Sequence, residues 1–146
     1  MKKYISIIIS AILIILAIYT INYISNPERQ IKKFINENSK ELVTIAESYL
    51  NSDTTIETYK CVKVEQVFSG NNEIVQFFYD GKGIVPASKY YGFYYSPDDV
   101  PAAYQNMKYN LTYVSDDEWK WSADGTDNGG RTIRIMENWF YYEAWS

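Results

Sequence analysis

Aromatic side chains carry the densest chemistry in this sequence. Rings occupy nearly every position of Tyr90-Tyr91-Gly92-Phe93-Tyr94-Tyr95 and every position of Trp139-Phe140-Tyr141-Tyr142, while Trp119 and Trp121 stand two apart. Extended backbone turns successive side chains to opposite faces, so one set of rings should meet a core and the other a second surface. A surface row of Tyr and Trp offers rigid contact area with a polar tip, which suits peptide, glycan or protein recognition. Tyr90, Tyr94, Trp119, Trp121 and Tyr142 are the candidates for that surface. The competing reading is that the same rings are cross-strand pairs that stabilise a sheet. Beyond Ile24 there are 12 Tyr, 6 Phe and 4 Trp in 122 residues, more than one small core need bury fully.

Oxygen chemistry comes second. In Asp124-Gly125-Thr126-Asp127-Asn128-Gly129-Gly130, the side chains of Asp124, Asp127 and Asn128 could wrap a calcium ion. The loop lacks the alternating acids and the closing Glu of an EF-hand. Gly and Asn between two strands are expected simply to supply turn geometry with positive φ. Asp98-Asp99 and Asp116-Asp117-Glu118 pair acids in loops. Two carboxylates across a cleft could act on a glycosidic bond, but nothing in the sequence places these groups across one. Arg131 and Arg134 are three apart in a strand and so point to opposite faces, which rules out a two-arginine clamp.

Absences narrow the chemistry further. The chain has no histidine. Ser-His and Cys-His nucleophile pairs, imidazole bases and the usual zinc sites are therefore excluded. No cofactor is expected. Cys61 is the only cysteine, so no intrachain disulfide can form; within a strand-like run it is expected to be a small buried apolar residue. With Lys2 and Lys3 set aside from the 14 basic residues, 12 face 18 acidic ones, a net of −6. An acidic domain without a basic stripe repels phosphate backbones, which argues against nucleic acid as a partner.

The elements that position these groups begin with Tyr4 to Ile24, 21 residues without a charge. As a helix this stretch reaches about 31 Å, the thickness of a bilayer core. Lys2 and Lys3 precede it, and Tyr4, Tyr19 and Tyr23 sit near its ends, where interfacial aromatics belong. A cleaved signal peptide would have a shorter apolar region and a small-x-small site, and Ala17-Ile18-Tyr19 is a poor one. The expectation is an uncleaved signal-anchor over residues 1–25, touching the membrane through residues 4–24. The Lys pair favours a cytoplasmic N-terminus; Arg29, Lys32 and Lys33 weaken that bias.

Residues 26–53 read as a juxtamembrane amphipathic helix. Asn26-Pro27 supplies an N-cap and a proline at the first helical position. Ile31, Phe34, Ile35, Leu42, Ile45, Tyr49 and Leu50 then form a stripe. Asn38 and Glu41 resemble a second capping box, which predicts either a kinked helix or a turn followed by a helix from about Ser39. Residues 54–146 read as an aromatic-rich antiparallel β domain. Strands are expected at 55–68, 73–79, 90–95, 109–114, 118–122, 131–136 and 139–145, with turns at Ser69-Gly70-Asn71-Asn72 and Asp80-Gly81-Lys82-Gly83. Within the first, Lys63 and Glu65 alternate with Val62 and Val64. The predicted fold is α+β: a transmembrane helix, then one amphipathic helix on a curved antiparallel sheet of about six or seven strands.

Phe68-Ser69-Gly70, Tyr90 through Asp99, and Trp139-Phe140-Tyr141-Tyr142-Glu143 resemble segments of small exported or membrane-anchored hypothetical proteins of low-GC Gram-positive bacteria. The resemblance covers most of the region after the anchor and implies a bacterial source. It brings no activity and transfers no functional residue.

These features favour a membrane-tethered, extracytoplasmic binding module over an enzyme. Its ligand would be an envelope protein, a peptide, a glycan, or a toxin to which it gives immunity. One alternative is a small carboxylate-dependent glycan-active enzyme. Another is an accessory subunit whose Ser6, Ser10, Thr20 and Asn22 pair its spanning helix with a larger membrane complex.

Overall fold

The computed structural model describes residues 2–53, 56–69, 72–84 and 87–146. Two helices, α1 (Lys2–Ile24) and α2 (Pro27–Leu50), precede eight strands: β1 (Thr58–Tyr59), β2 (Val62–Ser69), β3 (Asn72–Ile84), β4 (Ala87–Tyr95), β5 (Thr112–Ser115), β6 (Glu118–Ser122), β7 (Gly129–Met136) and β8 (Trp139–Trp145). All pair antiparallel in one open sheet of order β1-β2-β3-β4-β8-β7-β6-β5. Two meanders, β1 to β4 and β5 to β8, thus join along the central β4–β8 pair. Bulges between Phe78 and Asp80, Tyr113 and Ser115, and Arg134 and Met136 bend the strands.

Helix α1 is long and apolar enough to span a membrane, and none of Ile7–Ile24 is buried against the rest of the chain. Its apolar residues cover every side of the helix rather than one stripe. Helix α2 starts as its sequence dictates. The Asn26 side chain accepts a hydrogen bond from the Arg29 amide at 3.2 Å, and Pro27 takes the first turn. The helix is continuous but kinked at Asn38 (φ −127°, ψ 16°). There the Asn38 amide donates to the Phe34 carbonyl at 2.7 Å, while its oxygen accepts from Lys60 Nζ and, at 3.4 Å, from the Tyr59 hydroxyl. The kink is therefore tied to the β1–β2 hairpin.

Ile31, Ile35 and Leu42 on α2 are fully buried, each stabilising the fold by about 1.5–3 kcal/mol relative to exposure. They pack on Val62 and Val64 of β2, Val75 and Phe77 of β3, Tyr91 and Phe93 of β4, and Trp139 and Tyr141 of β8. Phe77 stacks on Phe93 across the strand pair, centroids 4.7 Å apart. The opposite face of the sheet is also covered. The chain from Ser96 to Leu111, with a short 3₁₀ turn at Tyr104–Asn106, contributes Ala102 and Tyr104 to a second core with Ile74, Tyr94, Phe140 and Tyr142.

Four sequence expectations are corrected. The strand expected over 55–68 is two strands, because Lys60 (φ 52°) and Cys61 form a tight turn between Tyr59 and its partner Val62. This turn makes the strand count eight and leaves Cys61 exposed rather than buried; Thr55 lies outside the described residues. Asp80-Gly81-Lys82-Gly83 does not end β3: Gly81 pairs with Tyr90 and Gly83 with Ser88, so the strand runs on to Ile84. Val85 and Pro86 lie outside the described residues, as do Gly70 and Asn71 between the paired Ser69 and Asn72. The strand expected at 109–114 begins only at Thr112, and Tyr109 instead stacks on Trp121.

Candidate functional site

Strand alternation sorts the aromatics as their spacing predicts. Tyr91 and Phe93 of β4, with Trp139 and Tyr141 of β8, face α2; Tyr94, Phe140 and Tyr142 face the covering chain. That second face is not a bare recognition surface. Tyr94 and Tyr142 are 1% exposed and Trp121 is 7% exposed, whereas Tyr90 and Trp119 are half-buried. Of the five expected rings, Tyr94, Tyr142 and Trp121 are thus buried beneath residues 96–111, while Tyr90 and Trp119 keep part of their surface open.

Two buried side chains hold the covering chain down. The Tyr94 hydroxyl accepts from the Ala102 amide at 2.7 Å and shares a 2.7 Å hydrogen bond with Thr132 Oγ1. Gln76 Oε1 accepts from the Gln105 amide at 3.1 Å. Burial raises the Tyr94 pKa far above its ordinary 10.0, so the ring stays neutral. The Tyr142 hydroxyl is buried with no hydrogen-bond partner among the described residues, and burial again keeps it protonated. Gly92 permits this packing: a Cβ there would lie 2.5 Å from the Tyr142 hydroxyl oxygen.

What remains open is a groove at the margin of this core. One hollow of about 130 Å³ is lined by Tyr90, Tyr104, Tyr109, Trp121 and Trp145, among others. A second, of about 270 Å³, shares Trp121 and Trp145 with it and is lined also by Asn110, Thr112, Lys120 and Ser122. The floor is rigid: Tyr109 stacks on Trp121 at 4.8 Å and Tyr90 on Tyr104 at 5.8 Å. Gly130 lets the Trp121 ring lie against β7, since a Cβ there would meet that ring at 2.6 Å. Of the expected residues, Tyr90 and Trp121 line the groove; Trp119 lies apart, edge-on to the exposed Tyr113 at 5.7 Å. Tyr104, Tyr109 and Trp145 were missed as candidates. The first two lie in irregular chain where alternation assigns no face, and Trp145 was legible only as a strand end.

The oxygen-rich loop is a hairpin connection. Asp124, Asp127 and Asn128 are exposed. Gly125 takes φ 74°, and the Asn128 amide donates to Thr126 Oγ1 at 3.2 Å, the turn chemistry the sequence predicts. Among the described residues, no group of three or more His, Cys, Asp or Glu is placed to hold a metal ion.

At least one acid of each loop group, Asp99 in one and Asp117 and Glu118 in the other, meets an arginine. Asp99 binds Arg134 and accepts from the Asn138 amide at 2.9 Å, and Asp117 lies 3.8 Å from Arg134 Nε. Desolvation opposes the Asp99 charge, but the Asn138 amide and Arg134 outweigh it and hold the carboxyl below its usual range. On the α2 face, Arg131 contacts Glu143 at 2.9 Å, Glu28 at 3.2 Å and Glu118 at 4.0 Å. The two arginines point to opposite faces, as expected. Carboxylates bound to arginine, with Asp99 held below its usual range, give no support to an acid–base pair in which one carboxyl must hold a proton. In α1, the Thr20 hydroxyl donates to the Leu16 carbonyl at 2.8 Å, which satisfies it within its own helix.

Comparison with family models, with curated proteins and with solved structures finds no match to this chain.

Proposed function

We propose that this chain is a membrane-tethered binding module, anchored by α1, whose β domain lies outside the cytoplasm and takes an extended glycan or peptide segment of the cell envelope in the aromatic groove. The observation that carries this reading is the pair of adjoining hollows that share Trp121 and Trp145. Each is smaller than the roughly 300 Å³ at which cofactor-sized pockets begin, so the shape favours a narrow chain laid across both. Flat rings supply apolar contact, and the Asn110, Thr112 and Ser122 side chains supply hydrogen bonds. The floor is built from rings already pinned in a core, so ligand binding orders little new structure. The all-round apolar surface of α1 and the short basic segment before it support the anchor and its direction.

The test uses the full chain in micelles with its four indole N–H resonances assigned. Oligosaccharide and peptide pools are titrated in turn. A true ligand shifts Trp121 and Trp145 and leaves Trp139, buried on the α2 face, unmoved. No movement of Trp121 or Trp145 with either pool removes the groove as the site. Protease treatment of intact cells tests the address; a domain fully protected until lysis refutes the extracytoplasmic placement.

A further inference from the structure

We infer that the cleft between the end of α1 and the first turns of α2 seats the anionic headgroup of a membrane phospholipid; this rests on the reading that α1 lies in a bilayer. The cleft measures about 540 Å³. Its lining combines apolar surface from Tyr23, Ile24, Phe34 and Tyr79 with the cations Arg29 and Lys33 and a single carboxylate, Glu37. Ile24 is the last residue of α1. The cleft therefore opens where the apolar span ends, at the depth of headgroups, and Tyr23 sits where interfacial aromatics belong.

Its charge is unspent. Arg29 lies 3.6 Å over the Tyr23 ring and makes no ion pair among the described residues. A guanidinium held flat on an aromatic face still presents a planar fork of N–H donors that matches phosphate geometry. Lys33 meets Glu37 only at 3.7 Å, with both side chains largely exposed, a weak contact that a phosphate can displace. Lys32, by contrast, is bonded to Glu28 at 2.8 Å and does not line the cleft. The Gln30 amide donates to the Ile24 carbonyl at 2.9 Å and fixes the junction that forms the cleft. Free phosphate would answer the two cations but leave the apolar lining wet; a phospholipid answers both, with its phosphate on Arg29 and Lys33 and its glycerol and upper acyl carbons against Ile24 and Phe34.

The full chain is reconstituted in nanodiscs that mix phosphatidylglycerol and phosphatidylcholine, and retained lipid is counted by native mass spectrometry. Phosphatidylglycerol should stay bound in preference. Arg29→Gln and Lys33→Gln should each weaken that preference about fivefold. Both side chains are exposed, so neither change should unfold the domain. Lys40→Gln removes an exposed charge two turns farther along α2 and should change nothing. Equal retention of the two lipids, an equal effect of Lys40→Gln, or displacement of the lipid by inorganic phosphate would each overturn the inference. Release of the chain from vesicles by alkaline carbonate overturns the anchor itself. Firm insertion without lipid preference overturns the headgroup site alone.

Discussion

Arg131 of β7 reaches across to Glu28 in the first turn of α2, with Nη2 and Oε2 3.2 Å apart over a sequence separation of 103 residues. The same guanidinium donates through Nε to Glu143 at 2.9 Å. It thereby joins the α2 face of the sheet to the helix turn that follows the apolar span.

Replacing Arg131 with Met should lower the stability of the full chain in micelles by about 2 kcal/mol, read from urea unfolding. The change strips Glu143 of one of its two cationic partners while that carboxyl is only 12% exposed. Glu28→Gln leaves the Glu143 contacts in place and should cost only about 0.5 kcal/mol. If Glu28→Gln proves the more damaging, the weight lies on the helix contact rather than on Glu143.

Acid should weaken the domain through Glu143 and Asp99. Desolvation raises the Glu143 pKa, but hydrogen bonds from Lys89 and Arg131 overcome it and hold the carboxyl below its ordinary 4.5. Asp99 is likewise held below 3.8. A carboxyl with a lowered folded pKa adds stability that is fully present above its unfolded value and is lost as pH falls through the folded one. The urea midpoint should therefore be flat near neutrality and fall as pH drops below about 4.5. Glu143→Gln should lower the neutral-pH midpoint and flatten part of the acid slope, and Asp99→Asn should do the same. An unchanged slope in the double variant would assign acid sensitivity elsewhere.

Gly92→Ala should destabilise the centre of the sheet by about 3 kcal/mol, seen as a lowered melting temperature. The added Cβ would stand 2.3 Å from the Phe77 carbonyl oxygen as well as 2.5 Å from the Tyr142 hydroxyl. Removing the hydroxyl with Tyr142→Phe leaves the backbone collision in place. The double variant should therefore not recover the parent melting temperature.

Cys61 should react completely with a maleimide in the folded protein, without denaturant, because it sits exposed in the β1–β2 turn. Cys61→Ser should shift stability by less than about 0.5 kcal/mol. Labelling that requires urea would return Cys61 to the interior.

Where the chain is periodic, its structure was legible. Asn26 and Pro27 announced the start of α2, and Asn38 its kink, because capping is local chemistry. Alternation assigned Phe93 and Tyr94 to opposite faces for the same reason. The fate of Tyr94 and Tyr142 was not legible, since it depends on residues 96–111, which have no repeat and are held by long-range contacts from Tyr94, Gln76, Arg134 and Asn138. Glycines misled where packing overrode turn chemistry: Gly81 continues a strand, and Gly130 makes room for a tryptophan. The groove was half visible, through Tyr90 and Trp121. Its other walls come from a loop and a strand end, where spacing carries no orientation.

Only Ser25 and Asn26 separate the two helices, and the Gln30 amide clasps the junction from below. Two residues of extended chain span about 7 Å at most. With α1 in lipid, the domain is mounted on the membrane rather than tethered at a distance by a stalk. On the proposed reading, a groove so mounted would meet only a ligand that reaches the lipid surface.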